Sequence, residues 1–213
     1  MDIKNHHFWT WFLENHERIA TLRTLDAKEQ KQTAYWLDWH LHFYSPGLDY
    51  LLVFHEKGNQ QIELIITANG DPEFFETVET LICDAPQLSG WTYTAFIQPS
   101  RDYEEMEQGL DEPYVFQDIT LKTSDLSFVP LETNRAKIDM VVYLKNFTVY
   151  SKNKNLLQLI FIMLQDLLGE KVRHQDIGFV QLAQLTDDRT DLVKLHHLGH
   201  YLDQINKERK GDL

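Results

Sequence analysis

Hydrophobic residues near the start of the chain recur with the period of an α-helix. Phe8, Phe12 and Ile19 fall on one stripe, which predicts a first helix. A second helix is predicted from about 27 to 44, where a Ser-Pro-Gly sequence ends the pattern. We therefore expect a helical hairpin over residues 1–45.

The hydrophobic period then changes to two, as in β-strands. Residues 48–54 have strand spacing with a largely apolar second face, residues 62–68 alternate again, and together they predict a β-hairpin. The dipeptide Asp71-Pro72 supplies a helix N-cap and a suitable first helical residue, and an apolar helical face follows it. A third strand is predicted over 91–98, so residues 48–98 form a strand–strand–helix–strand unit.

The same order of elements recurs over residues 126–185. The predicted elements are strands at 126–131 and 138–144, a helix at 156–168 and a strand at 177–185. The apolar faces of the two helices align at an offset of 82 residues, which pairs Phe74 with Leu156. We interpret this as a structural duplication whose six strands form one sheet or two half-sheets, mixed or mainly antiparallel.

Two further segments complete the predicted architecture. Residues 99–125 are rich in acids and are expected to be a mobile acidic connector. A C-terminal helix is predicted over 190–208. The prediction is therefore a single compact α+β domain over 1–213, with an N-terminal helical hairpin and a C-terminal helix.

Composition adds little to this architecture but limits the chemistry. The 213 residues are 43% hydrophobic and 25% charged, as in ordinary globular proteins. The single cysteine, Cys83, excludes an intramolecular disulfide. The N-terminal sequence contains no apolar run of the kind found in signal peptides or membrane spans, so we expect a cytoplasmic protein.

The negative charge is concentrated in the middle of the chain. The formal net charge is −13, and residues 56–121 contain 14 acidic residues but only two basic ones. Such a field repels nucleic acids and anionic membranes and favours a basic protein partner, although acids also serve solubility alone. The candidate partner-binding acids are Glu104, Glu105, Glu107, Asp111 and Glu112.

Aromatic residues are concentrated in the predicted hairpin, which holds four of the five tryptophans. Trp9 and Trp11 cannot share one face of a helix, so an aromatic surface is left over after one face is buried. Trp11 and Trp39 are therefore candidate contacts for a protein partner or for a homodimer. The alternative is that the hairpin is buried on both sides and that its aromatic residues belong to the core.

No motif in the chain points clearly to catalysis or to a cofactor. We therefore predict no cofactor and assign no catalytic residue. His196, His200 and Asp203 have the spacing of one helix face and could hold a metal ion, although the HExxH pattern is missing. A solvated helix face explains the same three residues. The thiol of Cys83 lies near acidic residues that disfavour a thiolate, and phosphate-binding glycine loops are missing from the sequence.

Several short segments resemble an uncharacterised family of bacterial proteins of similar length. They are Ile65-Ile66-Thr67-Ala68-Asn69-Gly70, Ala85-Pro86-Gln87-Leu88-Ser89-Gly90-Trp91, Ala95-Phe96, Leu168-Gly169-Glu170 and Ile177-Gly178-Phe179. No function is assigned to that family, so the resemblance implies a fold family and no chemistry.

The residues therefore favour a non-enzymatic cytoplasmic interaction protein, of an adaptor or immunity-like kind, that uses an acidic surface. The alternative is an enzyme or small-ligand-binding protein with a cleft between the two repeated halves.

Overall fold

The computed structural model describes residues 3–55, 61–99, 103–131 and 137–211, and the side chains within 7–208 of that part. The chain divides into two units, Met1–Ile97 and Gln98–Leu213. Helices and mixed sheets make up both units, so the predicted α+β class is confirmed. Among the described residues, none of the helices is both long and apolar enough to cross a membrane.

The N-terminal unit begins with the predicted helical hairpin. Its second helix starts where the Asp26 carboxylate accepts hydrogen bonds from the backbone N–H groups of Lys28 and Glu29. The elements of this unit are α1 (Ile3–Ala20), α2 (Ala27–Tyr44), β1 (Asp49–Phe54), β2 (Ile62–Thr67), α3 (Phe75–Cys83) and β3 (Trp91–Ala95).

The three strands of this unit form one sheet in the order β1-β2-β3. β1 pairs antiparallel with β2, and β3 returns parallel to β2 after the α3 crossover. The hairpin packs on this sheet, since the Phe12 ring contacts Trp91 at 4.9 Å between centroids. The Trp9 indole N–H also donates a 2.9 Å hydrogen bond to the Leu81 carbonyl of α3, which ties α1 to the crossover helix.

The third strand is shorter than the alternation predicts. It ends at Ala95, whereas the sequence suggested residues 91–98. Phe96 has a φ of 65°, in the left-handed region that a strand cannot contain, and its buried ring packs against Phe75. The hydrophobic pattern continues past the strand because Phe96 belongs to the core without belonging to the ladder.

The C-terminal unit contains more elements than the sequence predicts. Its helices are α4 (Tyr103–Gln108), α5 (Phe147–Tyr150), α6 (Leu156–Leu168), α7 (Glu170–Asp176) and α8 (Leu198–Gly211). Its strands are β4 (Tyr114–Phe116), β5 (Ile119–Leu121), β6 (Ser127–Pro130), β7 (Ile138–Leu144), β8 (Ile177–Gln184) and β9 (Val193–Lys194). Short 3-10 turns lie in both units: Leu22–Thr24 and Pro72–Phe74 in the N-terminal unit, and Thr123–Asp125 and Leu195–His197 in the C-terminal unit.

The main sheet of the C-terminal unit has the order β8-β7-β6-β9. β6 pairs antiparallel with β7, and β7 pairs parallel with β8, as in the β1-β2-β3 sheet. Every residue of β7 is buried, so this central strand is covered on both faces. α6 and α8 supply Leu159, Ile160 and Leu202 to the same core.

The acidic connector is not a loop, and that interpretation of residues 99–125 is wrong for the part of it that the structure describes. This stretch contains α4, the β4–β5 hairpin and a 3-10 turn. Met106, Ile119 and Leu121 are buried, and the two β5 residues join the C-terminal core. A few apolar side chains spaced between the acids are sufficient to anchor the segment.

The predicted start of the C-terminal helix is also wrong. The helix begins at Leu198, whereas the sequence suggested residue 190. Val193 and Lys194 pair with Phe128 and Ser127 as strand β9, and Leu195–His197 form a 3-10 turn. Pairing between strands that are far apart in the sequence therefore overrides the local helical pattern.

Candidate functional site

A cavity of about 240 Å³ in the C-terminal unit is lined by four carboxylic acids. Glu105 comes from α4, Asp111 and Glu112 follow it along the chain, and Asp166 comes from α6. The remaining lining residues are Met106, Pro113, Tyr114, Thr123, Met163 and Leu167. An acidic cavity with largely apolar walls is thus built from two segments about fifty residues apart in the sequence.

Asp111 is the most deeply placed of the four acids, with 6% of the residue exposed. Its Oδ2 accepts a 3.2 Å hydrogen bond from the backbone N–H of Ser124. Its Oδ1 is buried and has no hydrogen-bond partner among the described residues. A buried acceptor without a donor costs roughly 1–3 kcal/mol, more when charged, so this oxygen favours a donor brought by a ligand.

Asp166 contributes a second partly buried carboxylate to the cavity. Burial raises the pKa of this carboxyl, and the hydrogen bond from Tyr114 opposes that rise. The Tyr114 hydroxyl donates to Oδ2 at 2.9 Å. A cation entering the cavity would stabilise the ionised form of Asp166 and relieve the cost of its burial.

The cavity is suited to a single cationic side chain rather than to a larger ligand. Its volume lies below the roughly 300–1,000 Å³ of typical small-molecule pockets. Met106, Met163 and Leu167 offer an apolar wall for an alkyl stem, while the carboxylates suit a charged end group. Lysine combines these two properties in one side chain.

The structure brings together three of the five acids proposed from the sequence as partner contacts. Glu105, Asp111 and Glu112 line the acidic cavity. Glu104 is exposed on α4 and is not part of the lining, and Glu107 points to a separate cluster. Asp166 was not recognised as a site residue from the sequence. It is the only acid within the apolar helix 156–168, and this isolation could have identified it.

The separate cluster contains Tyr103, Glu107, His196 and His197. Oε2 of Glu107 lies 2.7 Å from Nε2 of His196 and 3.4 Å from Nε2 of His197. The Tyr103 hydroxyl lies 2.7 Å from Nδ1 of His197. Withdrawal from water and the Glu107 carboxylate raise the pKa of Tyr103. α4 thus carries Glu105 for the acidic cavity and Glu107 for the histidines.

The three residues proposed from the sequence as metal ligands do not come together as a set. His196 is buried in the 3-10 turn before α8, so it does not share a continuous helix face with His200 and Asp203. Among the described residues, the group with atoms close enough for one metal ion is Glu107, His196 and His197, all within 4.8 Å of one another. Helical spacing failed here because the helix starts two residues after His196.

The N-terminal unit displays an aromatic face on α2. Trp39 and Phe43 are 41% and 52% exposed and stack at 5.6 Å with an interplanar angle of 14°. Tyr35 and Trp36 extend the same face and are also exposed. The surplus aromatic surface predicted for the hairpin is present, and Trp39 lies at its centre.

Trp11 lies beside this face, at a cleft of about 400 Å³ between α1 and α2, and Trp39 contacts the same His40 ring as Trp11 does. The partly buried Trp11 ring stacks on His40 at 4.4 Å between centroids. Burial and the neighbouring His7 lower the pKa of His40, so this imidazole is neutral at physiological pH. Trp36 and Arg18 also line the cleft.

No family model, curated protein or solved structure matches this chain. The resemblance to an uncharacterised bacterial family therefore stays a prediction.

Proposed function

We propose that this protein binds a basic protein segment by taking one of its lysine side chains into the acidic cavity. The observation that carries the proposal is Asp111, which lines a cavity with three further acids and whose buried Oδ1 has no hydrogen-bond donor within the part of the chain that the structure describes. An ammonium group supplies up to three donors from one atom, which matches several convergent carboxylates. The role is one of binding and not of catalysis.

The overall charge supports a basic partner. Residues 56–121 carry 14 acids and two bases, and the whole chain has a formal charge of −13. A field of this sign accelerates the approach of a cationic partner and repels nucleic acid. The cavity then provides the short-range contact that a diffuse charge cannot provide.

The aromatic face of α2 supports protein binding by a second contact. Trp39 and Phe43 are residue types enriched in protein interfaces, and their exposed rings attract the cationic side chains of a basic segment. The competing use of this face is a homodimer. Analytical ultracentrifugation tests that use, because a dimer broken by Trp39→Ser would assign the face to self-association.

We place the protein in the cytoplasm, which a single exposed thiol at Cys83 suits. We also interpret the two strand–strand–helix–strand units as copies of one ancestral unit, since both have one antiparallel pair followed by one parallel pair.

The test uses a fluorescein-labelled octalysine peptide as the probe, with binding followed by fluorescence anisotropy. We expect saturable binding that weakens with added salt and that an acetylated octalysine does not show. Asp111→Asn should weaken binding by about tenfold or more, because it removes the charge that meets the buried ammonium.

Glu104→Gln is the matched control, since it removes the same charge from the same segment outside the cavity. We expect a change below about twofold for this exposed residue. Equal losses in Asp111→Asn and Glu104→Gln would mean that only net charge matters and would reject the cavity. Binding that does not change with salt would reject the electrostatic proposal as a whole.

A further inference from the structure

We propose a second, independent site: Glu107, His196 and His197 form a binding site for a divalent transition metal ion, with zinc as the expected occupant. One ligand atom from each residue lies within 4.8 Å of the other two, and Oε2 of Glu107 faces Nε2 of both histidines. Two imidazoles and a carboxylate are a common ligand set for zinc and leave a fourth position open to water. The site lies in the C-terminal unit and does not depend on the binding proposed for the acidic cavity.

The distances between the ligand atoms are close to those that a metal ion requires. Zinc holds nitrogen and oxygen ligands at about 2.0–2.2 Å, which places two ligands of a tetrahedral site about 3.3–3.6 Å apart. Oε2 of Glu107 lies 3.4 Å from Nε2 of His197 and 2.7 Å from Nε2 of His196. The Glu107 side chain is about half exposed and is free to move by the ~0.6–0.9 Å that the shorter distance needs.

Tyr103 supplies the outer contact that a metal-binding histidine normally has. Its hydroxyl lies 2.7 Å from Nδ1 of His197. When Nε2 of His197 binds the ion, Nδ1 carries the proton, and this N–H donates a hydrogen bond to the phenol oxygen. Nδ1 of His196 is buried without a hydrogen-bond partner among the described residues, so it favours neither tautomer.

The alternative use of the same atoms is a hydrogen-bonded relay without metal. In that arrangement Nε2–H of His196 donates to Oε2 of Glu107, Nε2–H of His197 lies 3.4 Å from the same oxygen, and the phenol donates to Nδ1 of His197. Zinc takes the place of the two hydrogens on the Nε2 atoms, and each imidazole then carries its proton on Nδ1. The two states therefore differ in metal stoichiometry and in histidine tautomer, and both differences can be measured.

The experiment is isothermal titration calorimetry of chelator-treated full-length protein with zinc chloride. We expect one ion per chain, with Glu107→Gln and His197→Asn each weakening binding by more than about 100-fold and Tyr103→Phe by about tenfold. Circular dichroism checks that each variant is folded. Cobalt(II) bound at the same site should give the visible absorption of a four-coordinate ion, which a hydrogen-bonded relay cannot give.

Asp203→Asn is the matched control, since Asp203 lies on α8 outside the converging atoms. We expect this variant to bind zinc as the wild type does. Binding that depends on His200 but not on His197 would overturn the proposal, as would binding that survives loss of Glu107 and His197. Absence of zinc binding by the folded wild-type protein would also overturn it.

Discussion

Oδ1 of Asp139 accepts a 2.6 Å hydrogen bond from the backbone N–H of Phe179. The contact lies where the register of β7 and β8 shifts, because Ile138 pairs with Ile177 while Met140 pairs with Val180. Two residues of β8 thus oppose Asp139 alone, and a carboxylate replaces the ladder acceptor that the bulge removes. A methyl group on Gly178 would collide with the same carboxylate.

Asp139→Ala should destabilise the C-terminal unit. The substitution removes the charge-assisted hydrogen bond from the N–H of Phe179, and we expect a loss of about 1–3 kcal/mol in the free energy of unfolding. Asp139→Asn keeps an oxygen at the same place and should cost less. Urea denaturation followed by circular dichroism measures both variants, and equal losses would show that the charge rather than the hydrogen bond matters.

Trp11→Ala and Phe12→Ala should have very different effects on stability, although the residues are adjacent. Phe12 is fully buried against Trp91, so its removal leaves a cavity that costs about 3–5 kcal/mol. Trp11 is only partly buried, packing on His40 and on the edge of the core, so its removal should cost less, roughly 1–2 kcal/mol. Paired urea titrations test this order, and similar losses would place Trp11 in the core.

The raised pKa of Asp166 should make the free energy of unfolding fall as pH rises through the acidic range. Burial raises the folded-state pKa of this carboxyl above the unfolded value of about 3.9, so the folded state favours the protonated form. The contribution is favourable below the unfolded pKa and is lost as pH rises through the folded pKa. Urea titrations across acidic pH should show this loss in the wild type and in Glu104→Gln, and should not show it in Asp166→Asn.

Tyr114→Phe should raise the pKa of Asp166 further, because the hydrogen bond that favours the ionised carboxylate is removed. Carbon-13 NMR of the carboxyl group measures the shift directly. Octalysine should move the same pKa in the opposite direction if its ammonium group enters the cavity. A pKa that does not respond to the peptide would separate Asp166 from the binding event.

Local chemistry explains which parts of the fold the sequence could predict. The Asp26 cap and the apolar period of α2 define a helix without help from distant residues, and its predicted bounds are confirmed. Alternation over 62–67 likewise identifies β2, because the period of two is a property of the strand itself.

Features that depend on distant residues could not be read from the sequence. Residues 193–194 become strand β9 because β6 offers an edge, and β6 lies more than sixty positions earlier. The meeting of Glu107 with His196, and of Asp111 with Asp166, is equally non-local. The candidate sites were therefore beyond the reach of spacing arguments, although their acids and histidines were recognised individually.

The position of β9 affects how the chain folds while it is being synthesised on the ribosome. The β1-β2-β3 sheet is complete once residue 95 has been made, whereas the β6 edge stays open until residues 193–194 arrive. Domains fold as units while the chain is synthesised, so the first unit can form during that interval. An open edge is a template for pairing with other chains, and β6 is therefore most exposed to aggregation between the synthesis of residues 130 and 193.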